Sequence, residues 1–81
     1  MTNLTIKGGK KMPIVLAPKD VELKVIKVLL DEKTKKHLES LGITINSKIT
    51  VISSNNGNVI IKIKDGRLAL NRDVASKILV A

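Results

Sequence analysis

Leu38-Glu39-Ser40-Leu41-Gly42-Ile43, followed by Ser47-Lys48-Ile49-Thr50-Val51-Ile52, reads as the end of a short amphipathic helix, a glycine stop, and a strand. Leu30, Thr34, Leu38 and Leu41 recur at helical spacing, so one face is mostly apolar. Asp31 stands where an N-cap belongs, its carboxylate able to accept the unpaired N–H groups of the first turn. Glu32 adds negative charge near the positive end of the helix dipole. Glu32 with Lys36, and Lys35 with Glu39, are spaced to pair along the helix surface. Gly42 can take the left-handed conformation that ends a helix, and Ile43 then packs back on Leu38. Beyond the turn, Ile49 and Val51 alternate with polar residues, the period of a half-buried strand.

Working outward in both directions, the chain is strand-rich. Residues 1–11 are polar, hold the pair Gly8-Gly9, and form a flexible leader or an extra edge strand around Leu4 and Ile6. Pro13 and Pro18 bracket Ile14-Val15-Leu16, which proline confines to an edge or an extended start. Val21-Glu22-Leu23-Lys24-Val25 alternates cleanly, then the phase slips at Ile26. A β-bulge there reconciles the two halves. After the strand from Lys48 to Ser53 comes the polar loop Ser54-Asn55-Asn56-Gly57-Asn58. Val59, Ile61 and Ile63 share one face of the next strand, with Lys62 and Lys64 opposite. Asp65-Gly66 predicts a type I′ hairpin turn, after which Leu68 and Leu70 continue the inner face. Asn71 can cap one helical turn over Arg72 to Ser76, and Ile78 and Val80 close the chain as a last strand. The expected fold is mainly β: a small Src-homology-3-like barrel of five to six strands over residues 12–81, with a short helix at about 32–41 and a helical turn before the last strand.

Composition narrows the function. Eighty-one residues make one domain with a small core. There is no cysteine, which excludes disulfides and thiolate metal sites. Met1 to Lys7 lacks the apolar run of a signal peptide, and no apolar stretch approaches the ~20 residues that span a bilayer. The expected setting is cytoplasmic. The net charge of +8, from 15 Lys and Arg against 7 Asp and Glu, suits an acidic partner. Yet aromatic content is zero, so the stacking platforms of single-strand binders are missing. Arg67 and Arg72 are the only arginines, where guanine reading favours arginine forks. Any attraction to nucleic acid is therefore electrostatic and unspecific.

Chemistry is sparse. His37 is the sole histidine, and no acidic residue precedes it at helical spacing to orient it. Gly8-Gly9 lacks the strand and helix that frame a phosphate loop. Asp31-Glu32 is explained by helix capping. His37 and Glu39 are two residues apart and point to different sides of a helix, so no metal site is preformed within one chain, although Asp31 and Glu32 could join weakly with a neighbouring chain. The expectation is a protein that is no enzyme and needs no cofactor.

Leu38 to Ile43, the apolar strand after it, Gly66-Arg67-Leu68-Ala69-Leu70, and the Ala75-Ser76-Lys77-Ile78-Leu79-Val80 tail resemble the FeoA family, small cytoplasmic accessory proteins of bacterial ferrous iron uptake. The same module forms a C-terminal domain of iron- and manganese-responsive repressors. The resemblance spans Met12 to Val80, and departs from the family at Ser47, where glycine is usual. It implies a non-enzymatic partner-binding protein, with the cytosolic part of the membrane transporter FeoB as partner, and membrane association only through that partner. Transition-metal binding is a label of the family as a whole. The alternative is a small basic nucleic-acid-associated or regulatory module. Swapped-hairpin regulators share the step after the helix, but their Arg-rich strand precedes it, whereas Gly66 to Leu70 follows. The apolar surplus at Ile26, Leu29, Ile52, Ile60, Leu41 and Ile43 either packs under the helix or forms a docking patch. The candidate partner-binding residues are Lys35, Lys36, Leu38, Leu41, Gly42 and Ile43, where apolar centre, glycine stop and positive charge converge.

Overall fold

The computed structural model describes residues 11–81. The expected leader or edge strand over 1–11 lies outside these residues except for Lys11. β1 (Met12–Pro13) leads into a 3-10 turn at Ile14–Leu16, then β2 (Glu22–Val28), α1 (Glu32–Ser40), β3 (Lys48–Ser54), β4 (Asn58–Ile63), β5 (Gly66–Asn71), α2 (Arg72–Ala75) and β6 (Ile78–Val80). The six strands form one antiparallel sheet in the order β1-β6-β2-β3-β4-β5. The mainly β, barrel-like architecture is the one the periodicity predicts.

Bulges bend this sheet. Val25 pairs with Val80 but Lys27 with Leu79, so Ile26 is the extra residue of β2, at the position where the alternation slips. A second irregularity lies between Val51 and Ser53 of β3. Bulges increase local twist and re-aim the strand, which lets inward residues of β2 to β6 meet in one core. That core joins Leu23, Val25 and Val28 of β2, Leu38 of α1, Ile49 and Val51 of β3, and the alternating residues of β4 and β6. All of it is aliphatic. With no rings to fill volume, many Ile and Val side chains do so, each fully buried one worth about 1.5–3 kcal/mol.

Three local expectations change. Ile14–Leu16 is a 3-10 turn, with Ile14 buried in the core, because an apolar side chain pointing inward outweighs the extended bias of the flanking prolines. The β4–β5 hairpin turns at Lys64 and Asp65: Ile63 pairs with Gly66, and positive φ falls on Gly66 alone, at 147°. The expected type I′ turn at Asp65-Gly66 is thus replaced by a two-residue reversal at Lys64-Asp65, with Gly66 rejoining the ladder as the first residue of β5. Asp31 occupies the N-cap with extended backbone, but its carboxylate closes no cap hydrogen bond. By contrast, Asn71 caps α2 as expected, its Oδ1 accepting the Val74 N–H at 2.8 Å.

Candidate partner-binding surface

The geometry around the end of α1 follows from its hydrogen bonds. The Ile43 N–H donates to the Leu38 carbonyl at 2.9 Å and the Gly42 N–H to the Glu39 carbonyl at 3.0 Å. These two bonds define a Schellman stop, with glycine in the left-handed position. Gly42 has φ 102°. Ile43 enters the core beside Leu38, at 1% and 4% exposure. Both are therefore consumed by packing, which corrects the expectation that they contribute an exposed apolar centre. The signal was present in the sequence: a Schellman stop carries an apolar contact between its two ends, and that contact competes with any docking role.

Leu41, Gly42 and Lys36 are exposed, and Lys35 is half-buried on α1. The structure adds a residue that periodicity did not single out, Ile45, 45% exposed against 37% for Leu41. Of the two isoleucines in Ile43-Thr44-Ile45, the helix stop places Ile43 in the core, and Ile45 stays on the surface. The remaining apolar surplus is divided: Ile26, Ile52 and Ile60 are half-buried, and Leu29 is 49% exposed.

The connection carrying Ile45 is held firmly. The Asn46 N–H donates to the Val25 carbonyl, and the Val25 N–H to the Ser47 carbonyl, both at 2.8 Å. Asn46 takes φ 74°, a conformation that asparagine tolerates better than most residues. Ser47 does not need glycine's freedom there. Its Oγ lies 2.7 Å from Thr44 Oγ1, accepts the Thr44 N–H at 3.0 Å, and approaches the Gly42 carbonyl at 3.3 Å. The departure from the family's usual glycine is thus absorbed by a hydroxyl that closes the turn.

Near the start of α1, the Thr34 hydroxyl lowers the Asp31 carboxyl below its ordinary pKa. His37 is exposed on α1, and its carbonyl accepts the Ser40 hydroxyl at 2.6 Å. No group of three or more His, Cys, Asp and Glu side chains comes together among the described residues. No described helix is long and apolar enough to cross a membrane. A cleft of about 620 Å³ opens beside Gly42, between the ends of β3 and β4, with Lys48, Lys62 and Lys64 on its walls. The predicted site and this cleft meet only at Gly42.

Comparison with known proteins agrees with this architecture. A model of the FeoA domain matches residues 12–81. The chain belongs to the FeoA family. It is 38% identical over 68 residues to a Methanocaldococcus jannaschii protein named "Putative Fe(2+) transport protein A", covering 84% of this chain and 83% of that one. Among solved structures, the crystal structure of an iron uptake regulatory protein, FeoA, superposes with a TM-score of 0.79 at 24% identity, covering 89% of this chain and 96% of the other. A FeoA-like protein from Clostridium acetobutylicum gives 0.75 at 19% identity, covering 89% and 86%. A manganese-dependent transcriptional repressor gives 0.79 at 18% identity, covering 88% of this chain but 41% of the repressor. At these identities the structural likenesses establish the fold, while the family match ties this FeoA chain to iron transport.

Proposed function

We propose that this FeoA chain is a non-enzymatic interaction module of ferrous iron uptake, working in the cytoplasm by binding the cytosolic part of a FeoB-type transporter. Membership of a family with an Fe(2+) transport relative at 38% identity carries this reading. The surface assigned to the contact is the end of α1: Lys35 and Lys36 as the charged rim, Leu41 and Ile45 as the apolar centre, and Gly42 between them. Rim charges chiefly set on-rate, and desolvated apolar anchors set affinity. Leu38 and Ile43 act indirectly, by fixing the helix end from below.

The test is a surface-binding assay against a purified FeoB-type cytosolic domain. The parent binds, and Lys35→Glu with Lys36→Glu stays folded but binds more weakly, with the largest difference at low ionic strength. Equal binding by the folded double variant removes the helix end from consideration. A parent that fails to bind any such domain removes the partner itself.

A further inference from the structure

The outer face of the sheet carries a second feature, set by register. Lys24 lies directly opposite Lys48 across β2 and β3, and Lys62 directly opposite Arg67 across β4 and β5. Thr50 pairs with Glu22 on one side and with Lys62 on the other. Residues in register share a face, so Glu22, Thr50, Lys62 and Arg67 form a row across four strands, with Lys24 and Lys48 in the row beside it. The four cations are all exposed. Like charges directly opposite each other destabilise a sheet, and this sheet holds two such pairs. Lys64 adds to them across the cleft of about 620 Å³, which Glu22 and Asp65 also line. On the other flank of the row, Ile60 pairs with Ala69 on the same face. Among the described residues, β5 ends the sheet and pairs with β4 alone.

We propose that the outer face of β2 to β5 docks an extended acidic segment of a partner protein. Such a segment sets carboxylates against the Lys24–Lys48 and Lys62–Arg67 pairs and small apolar side chains against Ile60 and Ala69. A second copy of the chain is the wrong occupant, because both copies carry +8. A uniform polyphosphate backbone meets Glu22 and Asp65 within the cationic field, and the chain has no aromatic residue for base stacking. A bilayer surface is too broad to enter the cleft. A peptide can also use the edge of β5 that no described strand pairs with, the β-augmentation mode in which the main chain gives affinity and alternate side chains give specificity. The proposal is independent of the helix-end reading, since the two surfaces share only Gly42, at the margin of the cleft, and none of the opposed cations.

The probe is a fluorescein-labelled peptide of alternating Glu and Thr, read by fluorescence anisotropy on the full chain. Lys48→Glu with Lys62→Glu places carboxylates opposite Lys24 and Arg67 and removes both like-charge pairs. This variant is expected to lose binding by about tenfold or more, as for close charge pairs at interfaces, while its thermal midpoint holds or rises. Lys35→Glu with Lys36→Glu binds the peptide as the parent does. Should the Glu variant fail to fold, Lys48→Gln with Lys62→Gln must show the same direction of loss. Equal peptide binding by either folded sheet variant overturns the proposal. So does a parent that binds phosphatidylglycerol vesicles or duplex DNA more tightly than the peptide at the same ionic strength.

Discussion

Gly42 is constrained by its backbone rather than by lack of space. Its φ of 102° lies where L side chains are strained, and a Cβ there would sit 3.4 Å from Ile63 Cδ1. Left-handed geometry costs a non-glycine residue about 1–2 kcal/mol. Gly42→Val is therefore expected to destabilise the protein by about 1–2 kcal/mol or more, and Gly42→Ala by the lower end of that range. Urea unfolding of the two variants measures both, and a Gly42→Val protein as stable as the parent would defeat the helix-stop account. Asn46 meets the same demand at φ 74° without glycine, because the turn is closed around it by Val25 and Ser47.

At the scale of elements, the two helices solve the same end problem differently. Four N–H groups at a helix start lack partners within the helix. In α2 the Asn71 side chain takes one of them, so Asn71→Ala should cost about 1 kcal/mol. In α1 the Asp31 side chain closes no such bond, so Asp31→Ala should cost less. Thermal unfolding of the pair checks the order, and a larger loss at Asp31 would show that charge at the helix end outweighs the hydrogen bond. The bulge at Ile26 belongs to this scale too. It was legible because a strand has a strict period of two, and one surplus residue must break it. The β4–β5 turn was less legible: Asp65-Gly66 carries the residues of a type I′ turn, but register across the sheet moved the reversal one residue back, to Lys64 and Asp65.

For the molecule as a whole, metal is the sharpest question, because its family is one of iron transport. The full chain holds one His and no Cys, whereas a transition-metal site usually draws on several imidazole, thiolate or carboxylate ligands. Calorimetric titration with zinc or ferrous iron is expected to show only weak binding that His37→Ala leaves unchanged. One tight site per chain, abolished by that substitution, would place a metal centre on α1.

The sequence by itself determined the strand and helix periods, the stop at Gly42, the bulge at Ile26, the cap at Asn71 and the family. Each depends on a residue and its near neighbours, through backbone sterics or alternation. Tertiary structure decided which apolar residues remain on the surface. Leu38 and Ile43 went inside while Leu41 and Ile45 stayed partly exposed, because a small core has room for a limited set of side chains and the helix stop chooses among them. It also decided which lysines face each other. Lys24 and Lys48, or Lys62 and Arg67, become neighbours only when the strands register, and that pairing is set by the bulges and turns acting together.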